Sequence, residues 1–366
     1  MRYDEPDFLA SVVEVANELI KAGADDKETA VVTAQHQVLG RIRTAPTAIG
    51  SRFERLVHKH VKRRSDVSAH ARKRSLRAYW HAFVKAEQAI AAAEIINREQ
   101  MDSCVTILDD LQRTAPSSLG IRSLFGGLPL KCLLLTSLHA RTVVLADEIL
   151  HLLQHGFCEA AEARARTLYE TTVTIWVLAS AGRDGGDNFE FCERYYVSSL
   201  LERRRAGYDR EDRRIAAAAR RKWGNRFFTP YGWARPLFPN VDKITFGHLE
   251  KVVESDELRP WYLRFNNAVH SGAHNTISRS DFQRTFPNPT TPEYEPKTVQ
   301  DVAHVTLRML ELATFPATNS IAYLTNRWDD LITFAKLAKI IDAAVADFRK
   351  GPARPEAMLR GRRVSA

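Results

Sequence analysis

LKCLLLTSLHARTVVLADEILHLLQ, residues 130–154, runs through HG into FCEAAEARARTLYETTVTIWVLASAG, residues 157–182. Apolar residues recur every three to four positions through both runs, which is the period of a helix face. Neither run alternates as a half-buried strand does, and Gly182 offers a helix C-terminal cap. The two-residue link obliges the second helix to turn back along the first. The spacing therefore predicts an antiparallel helical hairpin.

The helical period continues outward from this hairpin. DFLASVVEVANELIKAG sets Leu9, Val12, Val13, Ala16, Leu19 and Ile20 on one face, and DKETAVVTAQHQVLGRI opens a second helix. Residues 72–113 contain no Gly or Pro; their apolar marks, Leu76, Trp80, Phe83, Val84 and Ile90, slip in phase at Ile95 and Ile96. One continuous rod, and a bent helix or two successive helices, are equally expected there. TAPSSLGIRSLFGGLPL, residues 114–130, is rich in Gly, Pro and Ser and reads as a linker. Beyond the hairpin come further helical stretches, an aromatic and Pro-rich loop at 224–240, and a helix opening near Pro260. A long helix, with a kink expected at Pro316, and a terminal helix complete the chain. The fold class is all-α. A basic helical region is expected at 1–115, a linker at 116–130, a helical bundle at 131–348 and a disordered basic tail at 349–366.

Charge is concentrated in one place. Between Arg41 and Arg77 stand twelve Lys/Arg against two acids, Glu54 and Asp66, a net +10; the whole chain carries +9, so the remainder sums to −1. Arg52, Arg55, Lys59, Lys62, Arg63, Arg64, Arg72, Lys73 and Arg74 are the candidate nucleic-acid contacts in this block. Such a block is the footprint of a phosphate-rich partner or, equally, a solvated basic arm. The opening MRYDEPDF is acidic where a secretory signal is basic, and the apolar run at 173–181 is far short of the roughly 20 residues that span a bilayer. A cytoplasmic protein without membrane attachment is expected. The four cysteines, Cys104, Cys132, Cys158 and Cys192, are widely spaced, which argues for free thiols over a zinc ribbon or a disulfide framework.

Two clusters carry the candidate chemistry. RARTLYE places Arg166 and Glu170 four apart on one helix face, with Tyr169 beside them. RFNNAVHSGAHN, residues 264–275, sets Arg264, Asn267 and His270 (or Ser271) along one stripe of a helix. Arginine can hold a phosphate through two N–H groups, and histidine can move a proton near neutral pH. With RNA the 2′-hydroxyl can be the nucleophile, so no metal or cofactor is needed. A second reading keeps Arg264 and His270, with Arg166 and Glu170, as a polar network that fixes helix register. A third uses His270 and His274, four apart, as metal ligands.

Arg264, five intervening residues and His270 resemble the Arg-x(4–6)-His motif of the HEPN superfamily. The ARTLYE and YLRFNNAVHSG segments are also similar to an uncharacterised family of bacterial helical proteins, the domain of unknown function 5677. The HEPN resemblance implies a HEPN-like bundle acting as a metal-independent endoribonuclease of defence or toxin type. It further implies a homodimer and an antitoxin or defence-system partner. His270 would be the acid/base, Arg264 the phosphate ligand and Asn267 the orienting group, with Arg166, Tyr169, Glu170 and Ser271 in support. Phe265 departs from the Asn, Asp or His that often follows the arginine in that motif.

Overall fold

The helical period resolves, in a computed structural model, into eleven α-helices and two 3₁₀ turns, with no β-strand among the described residues. The structure describes residues 8–23, 26–44, 48–114, 127–180, 189–203, 210–253, 258–269 and 295–351. The helices are α1 (Phe8–Lys21), α2 (Lys27–Thr44), α3 (Ala48–Thr114), α4 (Gly127–Gln154), α5 (Cys158–Ala179) and α6 (Glu190–Arg203). They continue with α7 (Arg210–Trp223), α8 (Phe246–Val253), α9 (Arg259–Val269), α10 (Pro296–Thr325) and α11 (Asp329–Arg349). The 3₁₀ turns, Asn225–Phe228 and Gly232–Leu237, occupy the expected aromatic loop.

The chain divides into two compact units, Met1–Val67 and Ser68–Ala366. In the first, α1 and α2 bury Val12, Val15, Ala16 and Ala34 together, while Val13 and Ile20 of the expected face stay exposed. Asp26 starts α2 by accepting from the Thr29 backbone N–H at 2.7 Å and the Thr29 hydroxyl at 2.6 Å. The sequence reading put the division at 116–130, but it falls at 67/68 because residues 76–96 of α3 belong to the core of the second unit. Their buried seam is Tyr79, Ala82, Phe83, Ala86, Ala89, Ile90, Ala93 and Ile96. Trp80 and Val84, two of the apolar marks chosen from sequence, point outward instead. The break in helical dihedrals of α3 is at Tyr79 (φ −127°, ψ 24°), not at Ile95 and Ile96 where the apolar marks slip in phase. Tyr79 donates its hydroxyl to the Pro296 carbonyl at 3.1 Å and packs with Phe83 and Phe348.

The predicted hairpin is α4 and α5, turned at His155 and Gly156, where Gly156 takes the left-handed φ of +80°. α5 sits at the centre of the second unit, packed against α4, α8, α9 and α10. α10 runs through Pro316 as one helix. A proline there cannot donate to the Leu312 carbonyl four residues back. The Trp176 indole N–H of α5 donates to that carbonyl at 2.7 Å, so the proline's missing bond is replaced by a cross-helix one. The cysteines are free: Cys104, Cys132 and Cys192 are buried, and burial pushes the Cys132 and Cys192 thiols up to about 12. Burial of this kind disfavours the thiolate, the reactive form of a cysteine. Among the described residues no helix is long and apolar enough to cross a membrane.

Candidate functional site

Along α5, Glu162, Arg166 and Glu170 recur at intervals of four and Tyr169 sits beside the last, so one face of a central helix is polar. α9 crosses that face with the opposite chain direction. Arg264 meets Glu162, Tyr262 meets Glu170, and Arg259 meets Tyr169 through Glu250 of α8.

At the Glu162 end, Arg264 donates from Nε to Glu162 Oε1 at 3.1 Å and pairs with the same oxygen from Nη2 at 2.9 Å. Its Nη1 donates to Asp301 Oδ2 at 2.8 Å, and Nη2 also reaches Thr298 Oγ1 at 3.4 Å. The Thr298 hydroxyl donates to Glu295 at 2.7 Å. The guanidinium also lies 5.6 Å from the Trp261 ring centre. Burial disfavours its charge, yet hydrogen bonds and attraction from Asp301 and Glu162 outweigh that and raise its pKa above the ordinary arginine value. Glu162 is nearly sealed, with its side chain 4% exposed, whereas Arg264 is 36% exposed.

In the middle, Arg166 Nε pairs with Glu170 Oε1 at 3.0 Å and its guanidinium lies 5.8 Å from the Tyr262 ring centre. The Tyr262 hydroxyl donates to the same carboxylate oxygen at 3.3 Å. Burial, followed by the Glu170 charge, raises the pKa values of Tyr262 and Tyr231. At the far end the buried Tyr169 donates to Glu250 Oε1 at 2.9 Å, and Arg259 pairs with the other Glu250 oxygen. Tyr169 stacks on Tyr262, ring centres 4.9 Å apart. This end opens onto a recess of about 420 Å³ lined also by Thr245, His248 and Lys251.

The structure thus brings Arg166, Tyr169, Glu170 and Arg264 onto a single α5–α9 seam. Arg264 is held there by Glu162 and Asp301, a pairing that was not foreseen. Asn267 lies in α9 with its side chain outside the described residues, and His270, Ser271 and His274 lie outside them altogether. Sequence reasoning also passed over Glu250, Arg259 and Tyr262. Glu162 had a visible signal, four residues before Arg166 on the same face. Asp301 had none, being 37 residues from Arg264. Among the described residues no group of three or more His, Cys, Asp or Glu side chains is placed to hold a metal ion.

The α4–α5 hairpin and the seam against α9 are the heart of a region with a recognisable pattern. Residues 133–284 match the model of a family of unknown function, DUF5677. The DUF5677 region begins inside α4 and takes in α5 to α9, including Arg166, Glu170 and Arg264. The first unit, α3, α10 and α11 lie outside it, so Asp301 does too. No curated protein and no solved structure matches the chain.

Proposed function

We propose that this chain is a nucleic-acid-binding helical protein whose α3 cations engage the phosphate backbone. One observation carries the reading. Several arginines of the second unit meet carboxylates, as Arg98 further along α3 and Arg164, Arg194, Arg259, Arg264 and Arg308 do, while the exposed Arg141, Arg213 and Arg221 form no ion pair among the described residues. On α3 the exposed Arg72, Lys73, Arg74 and Arg77 form no ion pair among the described residues, nor do the exposed Arg55, Lys59, Lys62 and Arg63 in the first unit. Arg52 and Arg64 belong to the same block, with side chains outside the described residues. Like charges left together without counterions in the fold are counterbalanced from solution, and release of those ions drives phosphate binding. Replacing Arg55, Lys59, Lys62 and Arg63 by glutamine is expected to weaken binding of RNA and to flatten its salt dependence. The slope of log affinity against log salt should fall by roughly 0.7–0.9 for each phosphate no longer neutralised by the protein. An unchanged slope in a fluorescence-anisotropy salt series would remove this group from the interface.

The second reading is the metal-independent ribonuclease of HEPN type, with Arg264 and His270 acting on an RNA phosphodiester, in a homodimer or with a defence-system partner. It is favoured by the partial exposure of Arg264 at 36%, near the end of α9 and six residues ahead of His270. It is opposed by electrostatics. One guanidinium facing Glu162 and Asp301 makes a set of net −1, which repels an incoming phosphate until a carboxylate moves aside. His270→Ala is the test. Loss of RNA cleavage with unchanged circular dichroism and RNA affinity supports catalysis; an RNA left intact by the parent protein under the same conditions ends it.

A further inference from the structure

We propose that Trp80, with Arg72, Lys73 and Arg77 beside it, is a stacking platform for an unpaired base of single-stranded nucleic acid. This rests on the nucleic-acid reading above and narrows its substrate class. The observation behind it is the failure of Trp80 to join the core. Its neighbours Tyr79, Ala82 and Phe83 are buried, so the indole is turned to the outer face and left 56% exposed. Arg72, Lys73, Leu76 and Arg77 share one side of the helix ahead of the break at Tyr79, and Trp80 follows directly after it. Together with Ala69 these side chains line a shallow depression of about 520 Å³. The break in helical dihedrals at Tyr79 lies at its Trp80 end. All of these residues belong to the second unit.

An indole floor flanked by three cations has the two components of single-strand recognition. The cations track phosphates, and the ring takes the π-face of a base whatever its identity. A duplex cannot use the ring, because its bases are already covered on both faces by their neighbours. A second copy of this chain is a poor occupant, since like cations would face one another across the contact.

The experiment uses the full chain with three probes: oligouridylate, a blunt RNA duplex of equal length, and inorganic polyphosphate as a charge-only ligand. Trp80→Ala is expected to weaken oligouridylate binding roughly 10-fold or more while leaving the duplex and polyphosphate within about twofold. Trp80→Phe should recover most of the loss, and neither change should alter the salt slope. Joint replacement of Arg72, Lys73 and Arg77 by glutamine should weaken all three probes and flatten the slope. Oligouridylate affinity unaffected by Trp80→Ala overturns the platform and leaves the nucleic-acid reading standing. Equal weakening of all three probes by Trp80→Ala also overturns it. A parent protein that binds none of the probes removes both. Self-association in sedimentation that disappears with Trp80→Ala reassigns the face to a contact between copies.

Discussion

Arg264→Ala is expected to lower the free energy of unfolding by about 3 kcal/mol, measured by urea denaturation near neutral pH. Glu162 lies almost wholly out of water, and the guanidinium approaches it through both Nε and Nη2. Taking one partner from a buried ion pair costs about 3–5 kcal/mol, because the other charge stays in a poorly solvated place. The lower end applies here, as Arg264 and Asp301 are partly open to solvent and water can refill their side. Adding Glu162→Gln to the Arg264 variant should restore at least about 1 kcal/mol, since the uncompensated charge is then gone. Arg264→Ala within about 0.5 kcal/mol of the parent, or no coupling between the two changes, would show that the pair is not structural. The same variants bear on catalysis. If Arg264→Ala melts the protein, its loss of any activity says nothing about a phosphate ligand, and His270→Ala becomes the informative substitution.

The Arg264 pairing marks where sequence reasoning stops. The α4–α5 hairpin was legible because its signals are local: period, length, and a His155–Gly156 link whose glycine takes a positive φ. The polar stripe on α5 was legible for the same reason, since i to i+4 neighbours must share a face. Glu162 and Asp301 stand 102 and 37 residues from Arg264, and only the packing of α9 across α5 and α10 brings them there. The inner seam of α3 was misread for a different cause. Four of its buried residues, Ala82, Ala86, Ala89 and Ala93, are alanines, which weigh little in a hydrophobic pattern yet allow close helix approach. Trp80 and Val84, large and apolar, drew the seam to the outer face. The division between units was placed at a Gly- and Pro-rich stretch, a signal that reports a break in helix but not which core the preceding helix joins.

His139 is expected to make the protein acid-labile well above the range where most carboxylates titrate. It is fully buried, and burial holds its pKa down at about 4. Its Nδ1 lies 3.1 Å from Asn97 Nδ2, an amide nitrogen that can only donate, so Nδ1 is the acceptor. The proton therefore sits on Nε2, which donates to Thr314 Oγ1 at 2.9 Å, and the Thr314 hydroxyl donates in turn to the Leu310 carbonyl at 2.7 Å. Protonating Nδ1 would set N–H against N–H inside a site whose bonded neighbours, Asn97 and Thr314, carry no charge. An unfolded histidine titrates near 6.5, so the unfolded state gains the proton first as pH falls. The stability at stake is intact above about pH 6.5 and is lost progressively down to about pH 4, where the folded form also titrates. Between pH 7 and pH 4.5 the loss from this one group is roughly 2 kcal/mol. His139→Gln has no proton to gain in this range. In paired urea titrations at the two pH values, the parent should lose about 2 kcal/mol more than the glutamine variant; equal losses would mean that His139 takes up its proton as readily in the fold as in the unfolded chain.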